Sequence, residues 1–149
     1  MQFLSPLGFW NSFRLDLTLE EELVTEPVWR RVRSKFPDVG EFEVKVYTLE
    51  EILAEKVRSI AQRGKSRDYF GVWLLLRVAS FDRAKLKEVI ERKFEAKGIE
   101  PSYDELFGEE KLREAKGFWE KGLRELVRGE LPDFDKVIEE LKGKLKALI

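Results

Sequence analysis

Lys56, Arg58, Arg63, Lys65 and Arg67 put five cations into twelve residues, and Asp68 follows at once. Ammonium and guanidinium groups gathered beside the start of a helix can clamp an anion such as a triphosphate or a nucleic-acid backbone. The same run also reads as an exposed helix-helix turn, in which Asp68 merely favours the dipole of the helix it opens. Lys56 is the odd member of the group. At about 100° per residue, Leu49, Ile52, Leu53, Val57 and Ile60 form one apolar stripe, and Lys56 falls in its middle. Either its stem packs on the core while the ammonium escapes past a neighbouring element, or it points into a cleft to meet a carboxylate or a phosphate. An ammonium held in such a stripe needs an acid nearby, and Asp68 is the expected partner because a short turn makes the two helices antiparallel neighbours. Gly64-Lys65-Ser66 is not a phosphate loop: the earlier glycine of that pattern is replaced by Ser59, and a helix rather than a strand precedes it.

Composition narrows the remaining chemistry. The 149 residues contain no Cys and no His, which excludes disulfides, thiolate and imidazole catalysis and nearly every zinc site. Lys and Arg number 28 against 29 Asp and Glu, so a net charge of -1 gives no bulk attraction for nucleic acid or anionic membrane, and a basic site must be local. No apolar run approaches the ~18 residues of a membrane span, and Met1 to Trp10 lacks the charged start and small-residue cleavage site of a leader. The expectation is a cytoplasmic protein without membrane contact. Abundant Lys and Glu with no Cys resemble a thermophile's usage. Hydrophobic residues at 43% predict a real core despite 38% charged residues.

The elements that must position these residues divide at Tyr47. Residues 1–47 hold the strand-like patterns and residues 48–149 read as successive helices, together one domain over 1–149. Alternation predicts a strand over Phe13 to Thr18, with Phe13, Leu15 and Leu17 on one face, and another over Phe42 to Tyr47. A short helix is expected around Val28 to Lys35. Thr48 with Glu51 forms a capping box, so a helix starts there and ends near Arg63-Gly64. Ser66 is expected to cap a central helix buried nearly all round, and Asp82 to open another that carries Leu86, Val89, Ile90 and Phe94 and is closed by Gly98. After a short turn capped by Ser102, one longer helix should turn Leu112, Trp119, Leu123, Leu126 and Val127 inward. Pro132 precedes a last helix carrying Phe134, Val137, Ile138, Leu141, Leu145 and Leu148.

Taken together, Val46-Tyr47-Thr48-Leu49-Glu50-Glu51, Ala54-Glu55-Lys56, Arg63-Gly64-Lys65 and Arg67-Asp68 closely resemble the AbiEii/AbiGii toxin family of nucleotidyltransferases. The resemblance runs from about Ser5 to Leu76 and more vaguely through the helical tail. It implies that Lys56 and Asp68 belong to a nucleotide-handling site, with Arg58, Arg63, Lys65 and Arg67 around the phosphates. It also implies that Asp16 is a metal-binding carboxylate, with Mg²⁺ and a nucleoside triphosphate as cofactors. The chain departs from the family in three places: it has no Gly-Ser dipeptide, no paired acids on a strand, and Gly71 where a second aspartate is expected. Hence the expected fold is α+β, a remnant two-stranded nucleotidyltransferase-like sheet packed against a bundle of about five helices. The expected protein is a truncated or degenerate member, inactive alone, that retains nucleotide or RNA-phosphate binding. Its partners would be an antitoxin-like protein or a chain supplying the missing half, or a second copy meeting it at exposed strand edges. The alternative is a non-catalytic interaction or structural module in which Lys56 pairs with Asp68 or Asp16.

Overall fold

The computed structural model describes residues 1–15, 17 and 21–149; Asp16, named as a metal ligand, and Thr18, named as a strand residue, lie outside them. Strands β1 (Gln2–Leu4) and β2 (Trp10–Ser12) form an antiparallel hairpin, in register Gln2↔Ser12 to Leu4↔Trp10. Gly8, at φ 80°, supplies the left-handed residue of its turn. Met1 and Phe13 exchange its last hydrogen bonds, Met1 N to Phe13 O at 3.0 Å and Phe13 N to Met1 O at 3.1 Å. Phe13, Arg14, Leu15 and Leu17, the described residues of the strand expected over Phe13 to Thr18, lie in no strand, which corrects that expectation for them. Alternation marks a face, but a strand also needs a neighbour to bond to.

A second hairpin pairs β3 (Val28–Val32) with β4 (Phe42–Val46), from Val28↔Val46 to Val32↔Phe42. The short helix expected at Val28 to Lys35 is therefore a strand. With Pro27 before it, β-branched Val28 and Val32 fall on the same face as Phe42, Val44 and Val46, and that shared face favours the ladder. The fold class is α+β as expected, with two separate two-stranded sheets. Among the described residues neither hairpin packs extensively on a helix, and the segment before β3 joins the two parts, where Val24 N and Thr25 N donate to the Glu51 carboxylate at 3.1 and 3.0 Å.

Helix α1 (Leu49–Arg63) starts at Thr48, whose Oγ1 accepts from Glu51 N at 3.1 Å, and ends on Gly64 at φ 53°. Helix α2 (Ser66–Val78) has Lys65 at its N-cap position and no side-chain cap; the Ser66 hydroxyl expected to cap it instead donates to Ala115 O at 2.9 Å. Nor is α2 buried all round. Tyr69 and Val72 are fully covered, but Leu74 and Val78 are 41% and 70% exposed, because α1, α6 and α7 cover only part of its surface. Helix α3 (Arg83–Glu95) opens on Asp82, which accepts from Lys85 N at 3.0 Å, and Gly98 at φ 63° closes its end.

After α4 (Tyr103–Phe107), the single helix expected next is broken into α5 (Glu109–Gly117) and α6 (Trp119–Leu123). Gly117 weakens the helix there. The break lets Trp119 turn inward, donate from Nε1 to Pro132 O at 2.9 Å and meet Phe134 edge-on at 5.1 Å, while Leu126 is left 66% exposed. Helix α7 (Phe134–Leu145) follows Asp133 and buries Val137, Ile138, Leu141 and Leu145. The core lies between α1, α2, α3 and α7, around Leu53, Ile60, Tyr69, Ile90 and Leu141. Among the described residues no helix is long and apolar enough to cross a membrane.

Candidate functional site

Helices α1 and α2 form an antiparallel hairpin about Gly64 and Lys65, and this places Lys56 against Gly71. A Cβ at Gly71 would stand 3.0 Å from Lys56 Cδ and Cε and 3.1 Å from Nζ, so the lysine stem occupies the room that a side chain there would take. Lys56 is half-buried, as its place in the apolar stripe predicts. The expected pairing with Asp68 does not form. Asp68 is 2% exposed, and both of its oxygens are taken by Arg63, Nε to Oδ2 at 2.9 Å and Nη2 to Oδ1 at 3.0 Å. Arg63 is five residues away across the turn and offers a planar fork that a lysine lacks. That hydrogen bond raises the Arg63 guanidinium further above its ordinary range. Among the described residues no carboxylate forms an ion pair with Lys56.

The remaining cations separate. Arg58 is buried and turned inward, where it meets Glu55, Gln62 and, at 3.4 Å, Glu21. Lys65 pairs with Glu114 on α5. Arg67 is exposed and forms no ion pair among the described residues. It lies one turn before Gly71 on the same face of α2, about 6 Å along the axis. Lys56 and Arg67 thus share the outer face of the helical hairpin, with Arg63 at its turn. Farther from the turn this face becomes aliphatic: Leu49, Leu74 and Val78 are exposed, Ile52 and Leu75 half-covered.

The most deeply buried cation lies elsewhere. Lys93 on α3 is 2% exposed, and its Nζ lies 2.8 Å from Glu51, 3.1 Å from Glu21 and 3.6 Å from Glu55, and donates to Glu22 O at 2.6 Å. Burial alone would raise the Glu51 carboxyl, but the Lys93 ammonium and the Val24 and Thr25 amides hold it below its usual range. Burial and the neighbouring Glu21 push Glu55 up. Hydrogen bonding from Glu55, then Lys93, holds Glu21 down. This network fixes the segment before β3 to α1 and α3. The signal that could have found it was present: Lys93 falls in the middle of the stripe made by Leu86, Val89, Ile90 and Phe94, as Lys56 does in its own.

The family described as nucleotidyl transferase AbiEii toxin, type IV TA system, matches residues 11–140, and the chain belongs to it. The match extends through the helices to α7. Comparison with curated proteins and with solved structures finds no match.

The Mg²⁺ ions that a nucleotidyltransferase family implies need several carboxylate oxygens facing one point. Asp68 spends both oxygens on Arg63, Glu21, Glu51 and Glu55 face Lys93 and Arg58, and among the described residues no group of three or more acids converges to hold a metal. The described donors do not fit a two-metal centre.

Proposed function

We propose that this chain is an AbiEii-family domain that does not transfer nucleotides by itself and that holds phosphate groups of a nucleotide or RNA on the α1/α2 face. The observation that carries this reading is the pair of cations that form no ion pair among the described residues, Lys56 beside Gly71 and Arg67 one turn away. Two such charges on one face attract a polyanion, and Arg63 and Lys65 at the turn extend the reach along it. Asp68 then acts by setting the Arg63 guanidinium. Asp16 is the one carboxylate that the resemblance assigns to a metal. On this reading the transferase activity of the family calls for a triphosphate-orienting motif and further acids beyond these residues, as a partner chain could supply, and an antitoxin-like protein is the other partner this reading provides for.

Calorimetric titration with nucleoside triphosphate, with and without Mg²⁺, tests it. Binding should weaken about tenfold with Lys56→Ala and again with Arg67→Ala, the loss of one charge-assisted contact each. Gly71→Asp should weaken it as well, because a carboxylate beside the ammonium competes with the ligand. Absence of binding at millimolar ligand overturns the reading. A second reading has its own support: Arg63 with Asp68 and Lys65 with Glu114 are intact ion pairs, as in a structural module where no ligand enters. Binding indifferent to Lys56 and Arg67 would favour that module.

A further inference from the structure

Strand β4 has a free edge. It pairs with β3 on one side, and among the described residues nothing bonds to its other side. A five-residue edge of unpaired N–H and C=O groups invites another strand unless proline, a bulge or covering chain blocks it. β4 has no proline, and its register with β3 runs without a bulge. Its residues divide cleanly between the faces: Phe42, Val44 and Val46 on one, Glu43 and Lys45 on the other.

We propose that β4 pairs antiparallel with β4 of a second copy of this chain about a two-fold axis at Val44, joining the two hairpins into one four-stranded sheet. The sequence of the strand selects the occupant. A two-fold at Val44 sets Val44 opposite its own copy, Phe42 opposite Val46, and Glu43 opposite Lys45, each cross pair occurring twice. Opposite charges directly across a ladder stabilise it, and like charges oppose it. Centring the pairing on Glu43 or on Lys45 brings two like charges face to face. A one-residue slip puts the charged side chains against the apolar face. The outer edge of β3 is a poorer candidate, because a two-fold at Arg30 confronts two guanidinium groups.

The existing hairpin extends the pattern. Arg31 faces Glu43 across the β3/β4 ladder, and Lys45 faces Trp29, its ammonium 5.5 Å from the ring centroid. In the joined sheet the polar face reads Arg31, Glu43, then Lys45 and Trp29 of the second copy, so Glu43 has a cation on each side. On the other face Val32 and Phe42 of one chain continue into Val46 and Val28 of the next. That gives two symmetry-related apolar rows, flanking a central row of Arg30 and Val44 followed by Val44 and Arg30 of the second copy, across a sheet where each hairpin alone, with Phe42 47% exposed, presents a marginal patch. This interface does not depend on the phosphate-binding reading.

Light scattering coupled to gel filtration, run up to the highest soluble concentration, should give the dimer mass for the unaltered chain. Glu43→Lys alone and Lys45→Glu alone should each weaken the dimer about tenfold or more, since two attractive cross pairs become repulsive. An equimolar mixture of the two variants should recover the dimer mass as a heterodimer, because every cross pair is then of opposite sign. Both charges are on the exposed face, and circular dichroism of each variant checks that it folds. The chain has no cysteine, so Val44→Cys offers a single thiol opposite its own copy at a separation of about 4.5–5.5 Å, within reach of a disulfide. Oxidation should cross-link it, whereas Val46→Cys, opposite Phe42 of the second copy, should stay monomeric on a denaturing gel. A monomer at every concentration overturns the proposal. So does a dimer that neither charge reversal weakens.

Discussion

At Lys93 an ammonium withdrawn from water is surrounded by three carboxylates, and Glu51 also receives two backbone N–H groups and the Thr25 hydroxyl. Truncating the cation leaves buried negative charge without compensation, a loss of about 3–5 kcal/mol for a pair of this kind. Lys93→Met should therefore lower the urea midpoint strongly, with the segment before β3 becoming the first site of proteolysis. The sign of the pH dependence follows from Glu51 and Glu21, whose folded values lie below the ordinary carboxylate value of 4.5. Their contribution is complete above that value and is lost as pH falls through the lower folded values. Glu55, raised by burial, runs the opposite way and softens the loss. Unfolding midpoints measured from pH 6 to pH 3 should fall in the unaltered chain and change less in Lys93→Met. One angular argument reaches both lysines in apolar stripes. It marks Lys56 as unusual but cannot supply its partner, because Asp68 has a closer guanidinium in Arg63. Applied to α3, the same argument points to the lysine that is enclosed.

Among the elements, the ends of helices are the most legible. Thr48 and Asp82 cap as their spacing predicts, and Gly64 and Gly98 close α1 and α3 in the left-handed region, because these signals are local to a few residues. Gly64 does more than end a helix: it fixes the turn that brings Lys56 to Gly71 and Arg63 to Asp68. Gly64→Ala should cost about 1–2 kcal/mol from its backbone conformation alone. The built Cβ also stands 3.3 Å from the Lys111 stem, which must give way. Thermal unfolding reads this cost, and an unchanged midpoint would mean that the turn can be made another way. Strand pairing was less legible. Trp29, Arg30 and Arg31 obscure the alternation of Val28 and Val32, and only the facing β4 reveals which face is apolar. The α5/α6 break was hidden for a similar reason, since Trp119 leaves the helical path for contacts with Pro132 and Phe134, distant in sequence.

Across the whole molecule, the helical part is a packed unit, and among the described residues the segment before β3 is tied to it through Glu51, Arg58 and Lys93. Nucleotidyl transfer rests on positioning and on cations that neutralise the reacting phosphates, and removing such stabilisation costs orders of magnitude in rate. On the proposed reading the cations on the α1/α2 face hold a polyanion, but they come from two helices, and among the described residues no group of three or more acids could hold a metal ion. No Gly-Ser dipeptide occurs anywhere in the chain to orient a triphosphate for attack. The purified protein, incubated with labelled nucleoside triphosphates, Mg²⁺ or Mn²⁺ and a pool of tRNA or protein acceptors, should show no label transfer above background. Transfer that vanishes in Asp16→Asn would prove this wrong, because it would require that acid to complete a metal site within this one chain. Transfer that appears only when a second polypeptide is added, and that weakens with Lys56→Ala, would place the phosphate-holding face inside a shared active site.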